Sequence, residues 1–253
     1  MRAARALTLG LAVALLTLLT QVGGVLLLAC WFAARRKPAR ALALFAMSYA
    51  ALTVLVLPLV APRFGRVALP CRAAGELPLR SASLGFCALN RHYVRPELRA
   101  RLETLARELE ARHPGSVVHT LDAGFPLGGP LLPHLGHHDG RLVDLALFYA
   151  GGGLRSAVGY FAFEGPQPSD PRPCRGREGA WRWDLEWLQP LFPDRAVDEK
   201  RTRAALRWLV DDPAIGRVFV EPHLARRLGV RGTRFQGCRA ARHDDHVHVE
   251  LAR

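Results

Sequence analysis

Six of the ten histidines in this 253-residue chain fall in two short clusters. One runs from His134 through His137, His138, Asp139 and Gly140 to Asp144; the other is His243-Asp244-Asp245-His246-Val247-His248-Val249-Glu250. Imidazoles and carboxylates at such spacing bind metal or move protons. Asp144 stands among Leu142, Val143, Leu145, Ala146, Leu147 and Phe148, an apolar run that reads as a buried strand. A buried ionised carboxylate is costly unless it is paired or bound to metal. His137, seven residues earlier across a Gly-containing turn, can fold back to share a partner with it. Alternate residues of a strand point to one face, so His246 and His248 point together, with Glu250 next in line and Val247, Val249 and Leu251 turned toward a core. Catalytic zinc takes three nitrogen or oxygen ligands and leaves a position for water. His137, Asp144 and one of His246 or His248 would supply that set. Asp244, Asp245 or Glu250 could orient a ring N–H, although a solvated loop is the plainer expectation for Asp245.

Other chemistries lack their residues. No H-E-x-x-H or G-x-S-x-G pattern is present, which removes the helical zincin site and the nucleophile elbow. Cys71, Cys87, Cys174 and Cys238 show no C-x-x-C pairing and instead fit two disulfides in an oxidising compartment, with all three connectivities open. Trp181, Trp183 and Trp187 would suit a platform for glycan or peptide, or simply rim packing. His138 with Asp139 reads as a solvent-exposed turn, and His223 as a packing or capping residue.

The elements that must position the clusters follow from periodicity. Pro96 to Arg112 is an amphipathic helix on Leu98, Leu102, Leu105 and Leu109, with Pro96 in its first turn. Ser116–Leu121, Arg141–Tyr149, Arg217–Val220 and His246–Leu251 read as strands; Asp198–Asp211 and Glu221–Leu228 read as helices. Ala123 to Gly140 is a loop rich in Gly, Pro and His, Gln167 to Gly179 is a Pro-rich loop, and 63–90 is irregular. This order predicts an α+β domain with a small antiparallel sheet over residues 63–253.

Residues 1–62 differ in kind. They carry Arg2, Arg5, Arg35, Arg36, Lys37 and Arg40 and no acid. The remainder holds 35 − 6 = 29 basic and 22 acidic residues, a formal +7, which favours anionic partners. Two uncharged runs, about 6–34 and 41–62, each exceed the roughly 20 residues that cross a bilayer. They predict a transmembrane hairpin whose basic loop, 35–40, faces the cytoplasm and whose two ends, with the domain, face outward. A cleaved signal peptide over the first 24 or so residues would leave the second run unexplained.

The paired patterns H-x-x-H-x-x-G-x-x-x-D and H-x-x-H-x-H-V resemble those of the penicillin-insensitive murein endopeptidases. These belong to the wider group of zinc metallopeptidases that includes lysostaphin, the D-alanyl-D-alanine metallopeptidases and the hedgehog fold. The resemblance runs from about Asn90 to Leu251 and takes in Pro96-Glu97-Leu98, Gly128-Gly129-Pro130 and Val218-Phe219-Val220-Glu221-Pro222. It implies His137, Asp144 and His248 as zinc ligands, His246 as the catalytic histidine, His243 as an assisting one and His134 as a possible contact to a second metal. Leu142 stands where the family often has Asp, and His138 where Gln or a small polar residue is usual. It also implies hydrolysis of murein cross-links, D-alanyl–diaminopimelyl bonds above all; together with the hairpin topology, the expected location is the bacterial inner membrane, multi-pass, with the catalytic domain facing the periplasm. The partners would be peptidoglycan peptide stems and the lipid bilayer. Rival expectations are a D-Ala-D-Ala carboxypeptidase or dipeptidase of the same fold, and a membrane-anchored zinc-fold binding protein without turnover. Nucleic acid is not an expected partner, given the outward topology and the lack of a binding motif.

Overall fold

The computed structural model describes residues 2–73, 75–134, 136–174, 176, 179, 182 and 185–253. Trp181 and Trp183 lie outside the described residues. Trp187 is 71% exposed on a 3-10 turn, Glu186–Leu191.

The first uncharged run is not one helix. It divides into α1, Arg2–Thr20, and α2, Gly23–Ala33. Gln21 takes a left-handed φ of 69°, and its amide is fixed by Leu127 N–H donating to Oε1 at 3.1 Å and by Nε2 donating to the Gly128 carbonyl at 2.5 Å. α2 then folds back so closely that a Cβ on Gly24 would collide with Thr17 Oγ1 and the Val13 carbonyl. Substituting Gly24 by Ala should therefore lower the melting temperature and yield of the detergent-solubilised chain, because overpacking costs typically 1–3 kcal/mol; a thermal ramp beside wild type checks it. The second run is α3, Pro38–Ala51, continuing through a π-helical turn, Leu52–Val56, then α4, Leu57–Val60, and a 3-10 turn, Ala61–Phe64. The widened turn ends two residues before Pro58, whose ring has no N–H and crowds the carbonyl four residues back, within that turn. Gly23 packs on Tyr49, so α2 and α3 run antiparallel. Ala3–Thr20 and Pro38–Phe64 are long and apolar enough to cross a membrane. α2, with 11 residues and a length of about 16 Å, is not.

After the helices come β1 (Val67–Ala68), β2 (Leu79–Ser81), α5 (Leu84–Ala88), β3 (Tyr93–Val94) and α6 (Pro96–Arg112). Next are β4 (Val118–Thr120), β5 (Leu142–Ala146), α7 (Glu199–Asp211), β6 (Ile215–Phe219), α8 (Pro222–Arg227) and β7 (His246–Leu251). β1 and β3 pair antiparallel by themselves, and the main sheet runs β2-β4-β5-β7-β6. The sheet is mixed rather than antiparallel, because β2, from a segment that reads as irregular, joins β4 in parallel. Asp198 caps α7 by accepting from the Arg201 N–H at 3.0 Å.

The pleat sorts β5 and β7 into two faces. Val143, Leu145, Val247, Val249 and Leu251 join Leu98, Leu102, Leu105 and Leu109 of α6 and Leu206 and Leu209 of α7 in one buried core. The other face presents Asp144, His246, His248 and Glu250. Disulfides Cys71–Cys87 and Cys174–Cys238 settle the connectivity.

Two histidines away from that polar face carry a pH signature. Burial pushes His92 down to about 4. Burial, then the charge of Arg80, does the same to His119, also to about 4. Both stay neutral in the fold, while the unfolded chain takes up their protons below about 6.5. Their contribution to stability is complete above that pH and declines as pH falls toward 4, by up to about 1.4 kcal/mol per unit for each. Thermal unfolding between pH 7 and 4.5 should show this decline, and His92→Gln should flatten it.

Candidate metal centre

β7 lies between β5 and β6, which brings the two clusters together although 99 residues separate Asp144 from His243 in the sequence (243 − 144 = 99). Asp144 pairs directly across the ladder with His248, and Ala146 with His246, so their side chains rise from the same face. His137 arrives from the Gly-rich loop before β5, and its Nδ1 lies 2.6 Å from the Ala123 carbonyl. With Nδ1 the donor, Nε2 keeps its lone pair for the centre.

The donor atoms form a tight triangle. His248 Nδ1 is 2.7 Å from Asp144 Oδ1, His137 Nε2 is 3.5 Å from the same oxygen, and His137 Nε2 is 3.4 Å from His248 Nδ1. A tetrahedral ion with ligands at about 2.05 Å separates neighbouring donors by about 3.3 Å. Two edges already have that length, and the third is the hydrogen bond that one N–H makes to the carboxylate. His134, His137 and Asp144 also form a group able to hold a metal ion, their ligand atoms all within 4.8 Å of one another. Cys71, Cys87 and His92 converge likewise, but a disulfide occupies both sulfurs.

Asp144 is fully buried. Burial opposes its charge, but the imidazoles of His137, His246 and His248 outweigh that and hold the carboxyl well below its usual range. Its second oxygen, Oδ2, accepts from the Tyr160 hydroxyl at 2.6 Å and lies 3.5 Å from His134 Nδ1 and 3.8 Å from His246 Nε2. His134 Nε2 reaches Asp122 Oδ2 at 3.3 Å, and Arg91 holds Asp122 by a two-pronged pair at 2.5 and 2.9 Å. The sequence reading missed Tyr160, Asp122 and Arg91. Tyr160 sits in the loop beyond β5, where no periodicity or charge pattern marks it.

His246 differs from the residues of the triangle. Its Nδ1 lies 2.5 Å from Asp245 Oδ1, while its Nε2 is buried with no hydrogen-bond partner among the described residues. Burial lowers its pKa, but Asp245 and Asp144 prevail and push it up to about 9. Asp245 is thus not a solvated loop residue: it is buried and also accepts from the Phe161 N–H at 2.6 Å. His243 lies beside both, its ring centroid 4.8 Å from that of His246 and 5.4 Å from that of His248, and burial with those two neighbours holds it neutral. Asp244 is taken by Arg242 and His223, and Glu250 by Arg217. His138 is exposed on the turn, as expected.

His134, His137, His243, His246 and His248 line a cleft of about 920 Å³. It is large enough for an extended peptide, and the histidines lie along its wall. No protein-family model and no curated protein matches the chain.

Proposed function

We propose that this chain is a membrane-anchored zinc peptidase that hydrolyses peptide cross-links of the bacterial cell wall. The observation that carries the reading is the His137–Asp144–His248 triangle, its two histidines on the wall of a peptide-sized cleft and its carboxylate buried behind them, with His246 Nε2 beside it making no hydrogen bond among the described residues. Two imidazoles and a carboxylate are the donor set of catalytic zinc, and His134 stands close enough to serve a second ion. Bound there, zinc would lower the pKa of a water and polarise the scissile carbonyl. His137 Nε2 and His248 Nδ1 face one point, where each would give a lone pair to the ion once His248 Nδ1 releases the proton it shares with Asp144, and Tyr160 fixes the carboxylate between them. His246, kept protonated by Asp245, is placed to donate to the developing oxyanion and then to the leaving amine. His243, neutral and adjacent, assists by orienting the attacking water. Exposed Arg239 and Arg253 on the cleft wall suit the carboxylates of peptide stems.

The helix geometry supports an outward domain. α1 runs up to the domain at Gln21, α2 turns back from it and α3 returns toward it, so the basic loop 35–40 and the start of α1 both lie at the end away from the domain. The positive-inside rule makes that end cytoplasmic and the cleft periplasmic.

The test is digestion of cross-linked muropeptide dimers by the full-length protein with zinc. The reading expects conversion to monomers and its loss on chelation. Release of terminal D-alanine alone would make the protein a carboxypeptidase, and bound dimers without turnover would make it a binding protein.

A further inference from the structure

One wall of the cleft is not polar. Leu19, Phe86, Leu89, Leu132 and Val158 line it, and Leu19, Leu132 and Val158 are 37%, 42% and 38% exposed. Leu19 belongs to α1. It ends a row, Leu7, Leu11, Leu15 and Leu19, that recurs every four residues and is exposed throughout. Such a row is one face of a helix. The face that α1 offers to lipid therefore continues without interruption into the wall of the cleft.

This junction is fastened. Besides the two hydrogen bonds of Gln21, Asn90 Nδ2 donates to the Thr20 carbonyl at 3.3 Å and to the Tyr49 hydroxyl at 3.1 Å, and Tyr49 donates to the Ala88 carbonyl at 2.7 Å. Asn90 itself is fully buried and takes a φ of 58°, a conformation held by these contacts. The C-terminal ends of α1 and α3 thus hold the cleft mouth against the apolar helices. An exposed apolar patch continuous with a helix long and apolar enough to cross a membrane suits a lipid contact.

We infer that the substrate of this site is a peptide carried on a membrane lipid, its hydrocarbon chain lying along Leu19, Leu132 and Val158 while the peptide reaches the histidines. The inference rests on the peptidase reading and specifies its substrate class. It places the enzyme on lipid-attached peptides, before or apart from their incorporation into a polymer.

The experiment uses the full chain in vesicles and one cross-linked stem peptide in two forms, free and N-palmitoylated. The expected result is a kcat/KM for the palmitoylated form about tenfold or more above that for the free form. The ratio should collapse by a similar factor in Leu132→Glu/Val158→Glu, since burial of only about two methylenes is worth a factor of ten. A fluorophore at Val158→Cys, in a Cys30→Ala background, should be quenched by a lipid-borne nitroxide and protected from aqueous iodide. Hydrolysis of the free peptide at an equal rate, a preference unmoved by the double variant, or a label quenched by iodide alone would each overturn the inference and leave the peptidase reading standing. Hydrolysis of neither form would overturn the peptidase reading, and the substrate assignment with it.

Discussion

Asp144→Asn should strip the metal from the protein and reduce hydrolysis by about a thousandfold or more, with little loss of fold. Asp144 is the one charged group of the triangle, and its two oxygens are shared among His248, His137, His134 and Tyr160. The amide keeps the volume, so the surrounding β5 core should survive. It loses the negative charge that lets two imidazoles and a dication share one buried point. Elemental analysis after zinc loading and dialysis, beside circular dichroism, separates loss of the ion from loss of structure. Retention of wild-type metal by Asp144→Asn would remove Asp144 from the ligand set.

His246→Ala should do the reverse. Its Nε2 lies 3.8 Å from Asp144 Oδ2, the longest contact Asp144 makes to any of the imidazoles, and its Nδ1 is engaged by Asp245. Removing it should leave the bound ion in place and lower kcat by about 10²–10⁴, the range for a lost general acid or oxyanion donor. KM should change little. Loss of the metal together with activity would make His246 a ligand and return the choice between His246 and His248 to an open one.

That choice shows where sequence reading works. The i, i+2 spacing of His246 and His248 required a common face, and the apolar partners Val247, Val249 and Leu251 required that face to be the polar one. Asp144 was legible as a buried carboxylate in want of a partner because its neighbours on both sides are apolar. The pairing of Asp144 with His248 was not legible, since strand register between segments about 100 residues apart depends on tertiary packing. The helix α6 was readable end to end from its leucine spacing and Pro96. β2 was not, because a three-residue strand after a Gly- and Pro-containing stretch has no periodicity to display. The interruption at Gln21, Gly23 and Gly24 was visible as composition. Its outcome, a helix reversal, depends on the docking of Gln21 against Leu127 and Gly128, which no local pattern encodes. Asp245 looked solvent-facing for a similar reason: its burial comes from the Phe161 backbone, which approaches from another segment of the chain.

The most direct test of the central claim is the zinc content of the purified full-length protein, loaded and then dialysed, beside His137→Ala and His248→Ala. A metal centre at the triangle predicts about one firmly held zinc per chain in wild type and near none in either variant. A wild-type protein that retains no zinc, or variants that retain as much as wild type, would contradict it.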